Sequence, residues 1–409
     1  MKILMILFPP REDHFFYLTN DSENQYDVLW YERKTDEEEN PGKAQLFFKK
    51  KFYWNNYLTP VKLLKKAAPD RIVFMEIIDQ RQIALITAAK RLGIPTFYLE
   101  HGAAGDKKTA LQRHQADIPA EKNKKIIRAA NRKNSLWHKL RVKIFYYSNM
   151  RGFTTFNSLI NYWKLPFVML RHLPNKALGL CIFKERVPDK CIVFNRPNFE
   201  EFKLYTGIGE ENAVFTGLPF FDRYYNSLTV EKNHILYIEH PMLESGLLEW
   251  TIEHHKLISQ TLFQLAERKK TVVYVKLHPR SNLALWQEYA DRSSFFKVIR
   301  DGEFTELYLT AKLILGYSSS LITGLLCAKK NIVNIGWHPK PQIFGTDFFE
   351  YGICHRSLEI DEVNSLLEYW ISNNLCVNNP TNYDKFVKYF NFPFDGKASE
   401  RVIQSIING

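Results

Sequence analysis

Arg71-Ile-Val-Phe-Met-Glu-Ile77, then Gln80–Leu92, then Thr96-Phe-Tyr-Leu-Glu100 is the stretch on which the fold turns. Two short apolar runs enclose a segment with helical character, which Gly93 ends and Pro95 follows. An apolar run, a helix and a second apolar run are the pattern of a parallel strand pair with a helical crossover.

Outward from this unit the pattern continues. Lys2–Phe8 and Tyr26–Tyr31 read as strands before it; Lys190–Phe194 and Ala213–Thr216 read as strands after it, with a helix near Phe199–Tyr205. A second series follows, with strands at His234–Ile238, Thr271–Lys276, Phe296–Ile299, Lys312–Leu315 and Asn331–Ile335. Helices at about Leu248–Glu267, Leu283–Tyr289, Glu303–Leu309 and Ser319–Ala328 separate them. The expected class is α/β, with two Rossmann-like domains, 1–228 and 229–409, meeting at the polar Asn226–Asn233 segment after Gly217-Leu-Pro219. A stretch at about 106–186, dense in Lys, Arg, Phe, Tyr and Trp, interrupts the first domain and reads as a basic, aromatic helical insertion. The tail, Asp384–Asn408, reads as helical with a break near Pro393, and its last helix is expected to pack back on the first domain.

At 409 residues the chain is too long for one ordinary core. Hydrophobic residues at 45% and charged residues at 24% describe a globular protein rather than a disordered one. A formal charge of +12 favours polyanionic partners, and an aromatic content of 14% suits surfaces that meet sugars or membranes. Cys181, Cys191, Cys327, Cys354 and Cys376 contain no CxxC pair and read as reduced core thiols. The apolar N-terminus is short and meets Pro9-Pro10 without a small-residue cleavage site, so it reads as a buried strand of a cytoplasmic protein. No run reaches the roughly 20 apolar residues of a membrane span.

Ligands of open α/β sheets bind beyond the carboxyl ends of the strands, and polar clusters fall at those ends. In Val275-Lys-Leu-His-Pro-Arg280 an apolar strand runs into Lys276, His278, Pro279 and Arg280, whose donors suit a phosphate. In Leu315-Gly-Tyr-Ser-Ser-Ser-Leu-Ile-Thr-Gly324 the serines Ser318, Ser319 and Ser320 precede a helix, where one can cap and the others can join the free N–H groups around an anion. Glu100 and His101, before Gly102 and Gly105, are candidates for taking a proton from an acceptor hydroxyl. Asp222, after the Gly217-Leu-Pro219 turn, is a candidate base or nucleophile. Glu239 and His240 are candidate donor contacts, and Gly336-Trp-His-Pro339 a candidate lining for a nucleotide base. There is no Walker loop, GxGxxG fingerprint, DxD loop or HExxH helix, so nucleotide hydrolysis, dinucleotide redox chemistry and a metal are not expected. The charge alone suggests nucleic acid, but no RNA- or DNA-binding signature accompanies it.

The His278-Pro279 pair and the serines at 318–320, in this order and placement, resemble the bacterial sialyltransferases and the capsule and lipopolysaccharide transferases that use CMP-sialic acid or CMP-Kdo. The resemblance covers mainly residues 234–340. It implies a GT-B fold with a cleft between two Rossmann-like domains. His278 and Pro279 would meet the cytidine or its phosphate, and Ser318, Ser319 and Ser320 would supply hydroxyls. The acidic Asp/Glu-Asp/Glu-Gly motif of that group has no equally clear copy in the first half; Asp301-Gly302-Glu303 lies in the other domain. A Gly-adjacent His101, the Gly-x-Pro turn, His-Pro and Ser-Ser are also similar to the CDP-glycerol transferases of teichoic acid, although Gly316 stands where those usually carry Asp. The implied partners are a nucleotide-sugar donor and a glycan or glycolipid acceptor at the inner membrane face, with no cofactor beyond the CMP-sugar substrate. A UDP-sugar 2-epimerase on the same scaffold is the alternative from another enzyme class.

Overall fold

The computed structural model describes residues 1–6, 15–39, 47–102, 136–172, 174–225, 230–245, 249–317, 319–337, 346–360, 362, 365 and 380–409. The chain forms two compact units, one of Met1–Phe220 with Lys397–Gly409, the other of Phe221–Gly396. The division falls inside the 3-10 turn Pro219–Tyr224, upstream of the 228/229 boundary expected from the sequence. Phe221 and Tyr224 belong to the second unit because their rings close over Gly324.

In the first unit seven strands are wholly parallel: β1 (Lys2–Ile6), β2 (Gln25–Leu29), β3 (Lys50–Phe52), β4 (Arg71–Phe74), β5 (Thr96–Leu99), β6 (Lys190–Val193) and β7 (Ala213–Phe215). Their order is β3-β2-β1-β4-β5-β6-β7, so the winding reverses between β1 and β4. Every side chain of β5 is buried, as both faces of a parallel sheet require. The crossover helix Gln80–Arg91 starts in a capping box, with Asp79 accepting from Arg81 N–H and Gln82 reaching back to the N-cap. Gly93, at φ +70°, ends the turn that follows. The strand Lys50–Phe52 and the helix Pro60–Ala67 are additional to the sequence expectation. The tail forms helices Pro380–Phe390 and Ala398–Asn408. The second belongs to the first unit, where Val402 and Ile406 are buried and Arg401 Nε donates to the Thr216 carbonyl at 2.8 Å. The Arg71 guanidinium donates to the Gly409 carbonyl at 2.6 Å.

The second unit has six parallel strands: β8 (Lys232–Ile238), β9 (Val272–Lys276), β10 (Phe296–Ile299), β11 (Ala311–Gly316), β12 (Ile332–Ile335) and β13 (His355–Ser357). The order β10-β9-β8-β11-β12-β13 again reverses in the middle, between β8 and β11. Ile238 stands opposite Lys276 on one side and opposite Gly316 on the other. Three strand ends are therefore level at the switch point of this sheet.

A Cβ on Gly324 would lie 2.7 Å from two ring carbons of Phe221 and 2.8 Å from the Tyr224 ring. Gly324→Ala is therefore expected to destabilise the protein by about 1–3 kcal/mol, despite alanine's higher helix propensity. Urea unfolding of the two proteins checks this; equal midpoints would contradict it.

Candidate functional site

Neighbouring strands lie about 4.8 Å apart, so the ends of β9 and β11, with β8 between them, are about 10 Å apart. The segments 239–240 and 277–281, with Tyr317, Ser319 and Ser320, leave the sheet together at that edge. Open α/β sheets bind ligands at such a reversal of winding.

Glu239 organises the edge. Its N–H donates to the Lys276 carbonyl at 3.0 Å, which carries the β8–β9 ladder past the strand end. Its carboxylate accepts from the His278 N–H at 3.2 Å and from the Ser281 hydroxyl. Burial pushes this carboxyl up to about 7, against the lowering effect of those two hydrogen bonds. Through these two hydrogen bonds Glu239, a candidate donor contact in the sequence, braces the His-Pro turn. Ser281 is buried and its N–H donates to the His278 carbonyl at 3.0 Å, closing the turn. Glu244 accepts from the Asn282 N–H at 2.6 Å. Neither Ser281 nor Glu244 stood out in the sequence; the one available signal was a hydroxyl directly after His-Pro-Arg.

The Nδ1 of His278 accepts from the Arg280 N–H at 3.1 Å, so the neutral ring carries its proton on Nε2. The His240 ring lies 6.4 Å from that of His278. Burial, followed by the charges of His278 and Arg280, holds His240 down at about 4, so it is neutral at physiological pH. Pro279 and Arg280 are exposed. Lys276 turns elsewhere: its ammonium donates to the carbonyls of Leu277 at 2.8 Å and Arg300 at 2.7 Å, and Arg300 in turn donates to the Pro279 carbonyl. Burial holds Lys276 below the usual lysine range. Lys276 and Arg300 fasten the turn to β10.

At the end of β11, Ser319 caps the helix Ser320–Cys327, accepting from the N–H groups of Leu321 at 3.1 Å and Ile322 at 3.5 Å. Ser320 is exposed at the first helical position, and Ser318 lies outside the described residues. A Cβ on Gly316 would stand 2.6 Å from Ile322 Cδ1, so a larger residue there would have to displace the end of that side chain. Tyr317 is buried and donates to the Trp337 carbonyl at 3.2 Å, while Trp337 donates to Ser357 Oγ at 2.8 Å. Trp337 is thereby a core residue; His338 and Pro339 lie outside the described residues.

In the first unit, Glu100 follows β5 and is buried. Its oxygens accept from the Tyr98 hydroxyl at 3.0 Å and the His101 N–H at 2.9 Å, and His101 Nδ1 lies 3.5 Å away. Burial raises the Glu100 carboxyl. Gly105 lies outside the described residues. Glu76, which the sequence reading passed over inside an apparent strand, follows β4, the strand next to β5. Its Oε2 is buried without a hydrogen-bond partner among the described residues. Burial, reinforced by the charges of Glu100 and Asp79 and opposed by His101, pushes it up to about 7. Two carboxyls and an imidazole therefore sit at adjacent strand ends, a suitable set for moving a proton near neutral pH. Asp222 lies in the turn Pro219–Tyr224, and Arg223 beside it pairs with Glu303 at 2.6 Å.

Two parallel, doubly wound α/β units in one chain define the GT-B fold. Solved structures with this architecture include the UDP-GlcNAc 2-epimerase of Methanocaldococcus jannaschii, 14% identical with TM-score 0.51 over 100% of both chains. Another is the UDP-GlcNAc 2-epimerase of Neisseria meningitidis bound to UDP-GlcNAc, 12% identical with TM-score 0.50 over 100% of both chains. A third is the glycotransferase of kitacinnamycin, 11% identical with TM-score 0.51 over 99% of this chain and 98% of that one. At such identities the likeness is one of fold. No curated protein gives a significant match. The model of the alpha-2,8-polysialyltransferase family (POLYST) matches residues 24–324, and the chain belongs to that family of glycosyltransferases.

Because the folded Glu76 carboxyl titrates near 7 and an unfolded one near 4.5, the folded state holds the proton more tightly. That stabilisation is complete below about 4.5 and disappears as pH rises through about 7. The stability of the wild type minus that of Glu76→Gln is expected to fall across this window. Urea midpoints at a series of pH values measure it, and a constant difference would contradict the environment described for Glu76.

Proposed function

We propose that this protein transfers a sialic acid from its CMP-activated form to a glycan or glycolipid acceptor, with the donor phosphate held at the strand ends of the second unit. One observation carries the reading: the register that sets Lys276, Ile238 and Gly316 level brings the His-Pro turn and the serine-capped helix to one switch point. Family membership supports sialyl transfer. The acceptor hydroxyl oxygen attacks the anomeric carbon as the bond from that carbon to the CMP phosphate oxygen breaks. The hydroxyl proton goes to the Glu76, Glu100 and His101 group, with Asp222 as the alternative acceptor. CMP leaves with its phosphate charge facing the Nε2–H of His278, the Arg280 guanidinium, the Ser320 hydroxyl and the N-terminus of helix Ser320–Cys327. These donors suffice for a single leaving phosphate, so the proposed reaction uses no metal ion. Glu239, Ser281, Lys276 and Arg300 keep the turn in place.

Thermal shift with CMP, CDP, UDP and GDP, followed by transfer from CMP-sialic acid and CMP-Kdo to an oligosialic acid, tests the proposal. CMP is expected to stabilise most, and the sialyl donor to be used. His278→Ala is expected to lower kcat/KM by about 10²–10³-fold with unchanged thermal stability. Preferential stabilisation by UDP, together with epimerisation of UDP-GlcNAc in the absence of acceptor, would sink it.

A further inference from the structure

Between Lys122 and Lys184 the sequence has fourteen Lys or Arg residues and no Asp or Glu. The whole chain carries +12, so its positive charge is concentrated in this one stretch. The helices Leu136–Tyr147 and Phe156–Val168 lie within it.

Their tyrosine sides face inward. Tyr146 and Tyr162 stack with centroids 4.0 Å apart, and each hydroxyl donates to the other's carbonyl, at 2.7 and 2.5 Å. Phe145, Tyr146, Tyr162 and Leu165 are buried in the core of the first unit. The outward sides are apolar as well. On the first helix Leu136, Trp137, Leu140 and Ile144 recur at helical spacing and are exposed, Leu136 by 88% and Trp137 by 72%. On and just after the second helix Phe156, Trp163, Phe167 and Leu170 do the same, with Phe156 exposed by 77% and the Trp163 and Phe167 rings 5.2 Å apart. Lys143, Lys164 and Arg171 are exposed among them. An ordinary surface helix turns its polar side to water; these two turn apolar and basic side chains to it and no acid.

We propose that the outward faces of these two helices are a docking surface for an anionic lipid bilayer. Trp137, Trp163, Phe156 and Phe167 enter the interface between headgroups and acyl chains, while the lysines and arginines lie at headgroup phosphates. A second copy of the chain is a poor occupant, since like charges would meet with no acid to pair them. A nucleic acid would answer the charge but leave Leu136, Leu140, Ile144 and Leu170 in water. Among the described residues no helix is long and apolar enough to cross a membrane. The surface is independent of the nucleotide used and goes beyond the transfer reaction.

Flotation of the full chain with phosphatidylcholine vesicles, with and without about 30 mol% phosphatidylglycerol, decides the matter. Binding is expected to the anionic vesicles alone and to weaken at least about tenfold in 1 M salt, where the Debye length falls to about 3 Å. Trp163→Ser with Phe167→Ser, and separately Lys143→Glu with Lys164→Glu, should each weaken it about tenfold or more with unchanged melting temperature. Equal binding to neutral vesicles, no binding to anionic ones, or wild-type binding by both double variants would overturn the proposal. So would tight binding to a mixed oligonucleotide that depends on the lysines and is indifferent to Trp163 and Phe167.

Discussion

The candidate donor site rests on one alignment of strands. β8 lies between β9 and β11, with Ile238 level with Lys276 and Gly316. Because side chains alternate along a strand, a one-residue slip would turn every residue of the shifted strand to the opposite face. Gly316 secures part of this alignment, since Ile322 packs where its side chain would be. Glu239 secures another part by tying its N–H to β9 and its carboxylate to the turn beyond. The two contacts explain why a small residue stands on one strand end and an acid on the next.

Buried carboxyls recur at both switch points, with different surroundings. Glu239 accepts two hydrogen bonds from a single turn and organises the backbone. Glu76 has a buried oxygen without such a bond among the described residues and stands beside the carboxyl of Glu100. Burial pushes both carboxyls up to about 7, so what separates them is their hydrogen bonds. The neutral His240 and the directed Nδ1 of His278 likewise follow from burial and one backbone N–H.

The strands of both units were legible as apolar runs because parallel strands are buried on both faces and need no alternation. Phe296–Ile299 was read to the residue, and most others to within two. Lys50–Phe52 and His355–Ser357 escaped because short edge strands carry polar residues. The His-Pro turn and the serines were legible because each interrupts an apolar run. Ser281, Glu244 and Glu76 were not, since nothing in their local sequence separates a hydroxyl or acid in a site from one in water.

Local chemistry along the chain was enough to decide where most strands run, that a serine caps the helix after β11, and which segments carry polar groups past a strand end. Ser319 caps its helix for reasons contained within four residues. Only the tertiary structure decided which strand ends are neighbours, that Lys276 points to carbonyls, and that Glu76 stands beside Glu100. Those outcomes depend on the order of strands in a sheet, which joins residues distant in the chain through hydrogen bonds that no local pattern encodes.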